Sequence, residues 1–178
     1  MRFPRWISSG AVAVGLSVMT GAGGSPGSDR PPSSSDVGYY ERSVAAMAPA
    51  LSLKPEEPAT DDSPLRRLMK LRYASAFRRL VFEVQRVEDH QDAPDKLLPI
   101  LKDVGEARLE LCDDPSALIP VLQARLGLAR IIEEVKECEV EAGRSGKHNL
   151  EDARYARLDA EVRLTRARPA PKTALQDR

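Results

Sequence analysis

The stretch SPLRRLMKLRYASAFRRLVFEVQRV, Ser63–Val87, decides the fold class. Ser63 is a favoured N-cap, and Pro64 suits the first helical position because its missing N–H would be unpaired there anyway. Leu65, Met69, Tyr73, Ala76, Leu80, Val84 and Val87 then recur at steps of three and four, with Leu68, Phe77 and Val81 widening the stripe. The period predicts an amphipathic helix of about seven turns. It ends at the polar cluster Asp89-His90-Gln91-Asp92.

Toward the C-terminus the pattern continues in three more helical segments. Asp92-Ala93-Pro94-Asp95-Lys96-Leu97-Leu98-Pro99 recurs 21 residues later as Asp113-Asp114-Pro115-Ser116-Ala117-Leu118-Ile119-Pro120. Either each helix starts at its first proline and kinks at the second, or it starts nearer Leu97 and Leu118. Helix two runs to about Cys112 with Leu97, Leu101, Val104, Ala107 or Arg108, and Leu111 inward. Helix three runs to Ala142 through Leu118, Leu122, Leu126, Ala129, Ile132 and Val135, and Gly143 closes it. Asn149 is the expected cap of helix four, with Glu151 and Asp152 in the first turn and Arg163, Arg166 and Arg168 in the last, an order that suits the helix dipole. Its inner face is Leu150, Ala153, Ala156 or Arg157, Ala160, Leu164 and Ala167.

A shift of 53 residues lays Val87–Leu111 over Val140–Leu164, matching Val87/Val140, Glu88/Glu141, Leu97/Leu150, Ala107/Ala160 and Leu111/Leu164. Each copy spans a helix end, a polar loop and a new amphipathic helix. The reading is therefore all-α: two antiparallel helical hairpins in a coiled-coil-like bundle, helix one with two and helix three with four.

The segment from Val140 through Gly143 and Ser145 to Leu150, Ala153, Ala160, Leu164 and Ala167 resembles the Gly-turn and following helix in the periplasmic hairpins of TolC-family outer-membrane efflux proteins. Uncharacterised secreted bacterial helical proteins have a similar layout. The resemblance covers residues 64–168 and implies kinship to the coiled-coil portion alone. No alternating run is long enough for the membrane strands of such channels.

Toward the N-terminus, residues 23–63 are rich in Pro, Gly and Ser, and the apolar patch Val44–Leu53 is interrupted by Pro49. That composition predicts a disordered linker carrying at most a helical turn near Ser43–Met47, with Tyr39-Tyr40 as a candidate recognition motif. Residues 1–22 have the parts of a secretory signal. Arg2 and Arg5 are followed by an apolar run of about 14 residues from Trp6 to Met19, too short to span a bilayer, and by the small residues Gly21 and Ala22. The expectation is cleavage near Ala22, a periplasmic or secreted mature protein, and a disordered tail over residues 169–178.

Acidic and basic residues balance at 27 each, which gives no bulk attraction to nucleic acid, and export argues against such a partner. Arg66, Arg67, Lys70, Arg72, Arg78 and Arg79 make the first half of helix one basic. They are expected to pair with Glu133, Glu134, Glu137 and Glu139 of helix three. Arg66, Arg67, Lys70, Arg78 and Arg79 are also the candidate contact to an anionic envelope surface. His90 and His148, with Asp89, Asp92 and Asp95, lack metal-ligand spacing and read as solvated loop residues. Neither a phosphate-binding glycine loop nor a nucleophile motif occurs, so no catalytic, cofactor or metal residue is assigned. Cys138 continues the core stripe of helix three, and Cys112 lies at a helix tip where it could cross-link two chains. About 33 Å of helix separates the two, too far for a bond within one chain.

The expected function is a non-catalytic exported interaction or scaffold protein of the cell envelope with unidentified protein partners, self-association among them. The alternative is a small periplasmic helical-hairpin stress chaperone or metal-responsive sensor, weakened by the absence of an L-T-x-x-Q motif.

Overall fold

The computed structural model describes residues 34–112 and 114–168, with side chains from Gly38 onward. The expected signal segment 1–22, the linker residues 23–33 and the tail 169–178 lie outside the described residues. Within them every regular element is helical: α1 Ser34–Ala45, α2 Ala48–Leu51, α3 Pro64–Glu88, α4 Leu97–Leu109, α5 Ile119–Glu141 and α6 Lys147–Ala167. Helices one to four of the sequence reading are thus α3 to α6. Single 3-10 turns, Pro94–Lys96 and Pro115–Leu118, lead into α4 and α5.

Those turns settle the starts left open by the paired prolines. The α-helices begin at Leu97 and Ile119, so Pro99 and Pro120 fall in first turns, where no i–4 hydrogen bond is lost and no kink follows. Ser63 caps α3 as expected, its hydroxyl accepting from the Arg66 N–H at 3.2 Å. Helix α6 differs from expectation. It begins at Lys147 with Gly146 at the cap position, and Asn149 instead donates its side-chain amide to Ser145 Oγ at 3.0 Å. Glu151 and Asp152 therefore sit past the first turn.

The ends of α3 and α5 share one backbone motif. Gly143, with φ +67°, donates its N–H to Val140 O, and Arg144 donates to Glu139 O at 2.8 Å. His90, with φ +57°, donates to Val87 O, and Gln91 donates to Arg86 O at 2.7 Å. Both are Schellman terminations. His90 and Gly143 are 53 residues apart, so the sequence repeat coincides with a repeated backbone event. No atom lies within 4 Å of a Cβ built on Gly143, so Gly143→Ala introduces only left-handed backbone strain. It should cost about 1 kcal/mol in chemical denaturation with an unchanged m-value.

The largest correction concerns residues 34–53, which the composition assigns to the linker. They form α1 and α2, and Ser43, Met47 and Ala50 are fully buried. Tyr39, Tyr40, Val44, Leu51 and Leu53 pack against the core, so Tyr39-Tyr40 is not a free recognition motif. Tyr40, Val44, Met47 and Leu51 keep a four-three-four spacing across Pro49, which is tolerated because it falls in the first turn of α2. Ser43 is buried without loss because its hydroxyl donates to Tyr39 O at 2.8 Å.

The main core joins Met47 and Ala50 to Tyr73, Leu80, Val84 and Val87 of α3, to Leu97, Ile100, Leu101, Val104 and Ala107 of α4, and to Val121, Ala124, Leu128 and Ile132 of α5. A second cluster holds Leu126 against Ala160 and Leu164 of α6. Helix α5 is therefore buried on two sides, and the single stripe expected for it understates its apolar surface. The densest helix contacts are α5 with α6 and α3 with α4. Between α5 and α6, Arg125 pairs with Asp159, Glu133 with Arg157 and Glu137 with Arg154, in opposing order along the two helices.

Candidate functional site

Helix α3 buries Lys70, Tyr73, Phe77, Leu80, Val84 and Val87 on its inner face. The sequence stripe placed Leu65, Leu68 and Val81 there, but they point outward, 69%, 64% and 46% exposed. Leu71 and Phe82 join them on the outer face. A helix with apolar residues on both sides has an ambiguous period, and the buried face is chosen by what packs against it. A shorter exposed stripe, Tyr155, Leu158 and Val162, lies on α6 at i, i+3 and i+7.

The basic row of α3 is largely neutralised within its own half of the molecule. Arg72 pairs with Glu110, Arg79 with Asp103 at 3.0 Å and Arg66 with Asp62 at 3.4 Å. Arg67 donates to the carbonyls of Ala59 and Thr60. Lys70 is buried and held by Asp62 at 2.9 Å, which removes it from any surface contact. The partners expected on α5 are engaged elsewhere: Glu133 and Glu137 with α6, Glu134 with Arg42 of α1 at 2.8 Å, and Glu139 with Lys136. The pairing of helix one with helix two already put α4 beside α3, so Asp103 and Glu110 were nearer candidate partners than the acids of α5.

Three carboxyls are held below the usual carboxylate range. Hydrogen bonds from Lys70 and the Ala59 N–H do this to Asp62, those from Lys96 and Arg86 to Asp92, and those from the Ser116 hydroxyl and N–H to Asp114. Depressed native values stabilise the fold above the unfolded carboxyl range, near about 4, and that stability is lost as pH falls through the lowered values. Thermal melts should therefore be flat from neutral pH to about 5 and decline steadily below about 4.

His90 and His148 are exposed, and His90 stacks on Tyr40 at 4.4 Å between centroids. Asp92 is committed to Arg86 and Lys96. No group of three His, Cys, Asp or Glu placed to hold a metal exists among the described residues. Both cysteines are free thiols. Cys138 is exposed, contrary to its expected place in the core, and Cys112 is half-buried. No helix among the described residues is long and apolar enough to cross a membrane. No protein-family model, curated protein or solved structure matches the chain.

Proposed function

We propose that this chain is a non-catalytic, exported helical interaction protein of the cell envelope, and that the outer face of α3 docks against the same face of a second copy. The observation that carries the reading is the exposed row Leu65, Leu68, Leu71, Val81 and Phe82. Leu65, Leu68 and Leu71 form one exposed apolar patch and Val81 and Phe82 a second, and apolar helix surface left in water favours association. Leu68, Leu71, Ser75, Arg78 and Phe82 fall at alternating steps of three and four, the spacing of a coiled-coil seam about 21 Å long.

Charge selects an antiparallel pair. The N-terminal half of α3 carries Arg66, Arg67, Lys70 and Arg72 and no acid, whereas the C-terminal half mixes Arg78, Arg79 and Arg86 with Glu83 and Glu88. Antiparallel docking sets each basic end against the end that carries Glu83 and Glu88, whereas parallel docking sets the two acid-free ends against each other. The fold behind this face is read as two hairpins, α3 with α4 and α5 with α6, TolC-like in layout over the helical segment. The matching Schellman ends and the opposed ion pairs of α5 and α6 support that reading.

Sedimentation equilibrium on the mature chain tests it. A dimer is expected at micromolar concentration. Leu71→Glu and Phe82→Glu, both at exposed positions, should give monomers with an unchanged helical spectrum. A wild-type monomer throughout, or variants that still dimerise, would overturn the assignment.

A further inference from the structure

We infer that a cavity between the Ser52–Glu56 segment, α3 and the end of α4 is a binding site for a small organic oxyanion, a carboxylate or phosphate ester with a short apolar group. The cavity encloses about 360 Å³, within the range of small-molecule sites. Leu53, Tyr73 and Leu111 supply its apolar wall. Lys54, Arg66, Lys70 and Arg108 bring positive charge to it, and Glu56 is the one acid on the lining. Asp62 behind Lys70 neutralises one cation more, so the lining with Asp62 keeps a positive excess. Charge of one sign in a partly enclosed concavity attracts and holds a counter-ion more strongly than the same charge on an open face.

Arg108 is the preorganised element. Its Nε donates to Ala117 O at 2.9 Å and its Nη1 to the Tyr73 hydroxyl at 3.3 Å. The guanidinium also sits 5.6 Å from the centre of the Tyr73 ring. Tyr73 is fixed in turn, because its hydroxyl donates to Leu53 O at 2.6 Å and burial raises its pKa, which keeps it a neutral donor. A guanidinium held in place loses little entropy on taking an oxyanion, and its planar fork matches carboxylate and phosphate geometry. Lys54, exposed and without an ion-pair partner among the described residues, stands at the rim as a second cation. The site exists only because the segment after α2 is pinned over α3. The proposal does not depend on self-association, since the cavity is lined by one chain.

The two thiols provide the assay. Cys112 lines the cavity, and Cys138, exposed on α5, does not. The reduced full chain is alkylated with iodoacetamide in the presence of inorganic phosphate, octanoate or octanol, and modification of each cysteine is followed by mass spectrometry. At a concentration about four times its Kd, octanoate should slow Cys112 modification about fivefold while leaving Cys138 unchanged. Phosphate protecting without octanoate would assign the headgroup as a phosphate, and octanoate alone as a carboxylate; either supports the site. Arg108→Met should abolish protection. Lys54→Glu, at an exposed position that folding does not need, should weaken it severalfold. Equal protection by octanol, protection unaffected by Lys54→Glu and Arg108→Met, or no protection by any probe would overturn the inference.

Discussion

Met47→Ala is expected to destabilise the protein by about 2–5 kcal/mol, as for other large-to-small changes at sealed core positions. A loss of about 3 kcal/mol would lower Tm by roughly 6–12 °C in a chain of this size. Met47 is completely buried and packs in the main core with residues from α3, α4 and α5. A linker residue would give no effect, so calorimetry on this one variant separates the two views of residues 34–53. The neighbouring α5 position sharpens the test. A Cβ on Gly127 would lie 3.4 Å from the Ala46 Cβ. Gly127→Leu should therefore force the α1–α2 corner away from α5 and cost about 1–3 kcal/mol. Fast proteolysis within residues 34–53 would accompany it, while the longer helices stay protected. Wild-type resistance in both variants would mean that the corner is not packed against α5.

Leu128→Ala should cost as much as Met47→Ala, about 2–5 kcal/mol, because Leu128 is fully buried in the main core. Leu126→Ala should also destabilise, toward the lower end of that range. Leu126 keeps 8% exposure and sits in the smaller cluster with Ala160 and Leu164. Residues two apart on an α-helix point about 200° apart, so both substitutions can be costly only if α5 is covered on opposite sides. Urea titrations of the two variants measure this. A Leu126→Ala protein indistinguishable from wild type would place α6 away from α5, and the second cluster would not exist in solution.

The cavity and the outer face of α3 were differently visible beforehand. Leu65, Leu68, Leu71, Val81 and Phe82 are plain in the sequence, yet the periodicity assigned three of them inward. Tyr73 and Arg108 are 35 residues apart, and nothing local to either signals that they meet. The acid partners of the basic row were misassigned for a different reason: helix one was expected beside helix two, but the acids were sought on helix three instead of at Asp103 and Glu110. Reach along one helix can be counted, whereas the identity of its neighbour depends on how the connecting turns are aimed.

By itself the sequence determined the helical class, both ends of α3 and the end of α5, while it left the starts of α4 and α5 open and misplaced the cap of α6. It also gave the Ser63 cap, the Gly143 stop and the 53-residue repeat whose two copies end helices at His90 and Gly143. These follow from hydrogen bonds, caps and periodicities within a few residues, so they are written in local order. Only the tertiary structure decided that α1 and α2 belong to the core, which side of α3 is covered, and that Lys70 is buried against Asp62. For a segment as short as Ala48–Leu51, local propensity is too weak to hold a helix in water. The apolar surface of α3, α4 and α5 supplies the missing free energy once it is assembled, and that surface does not exist until distant parts of the chain have met.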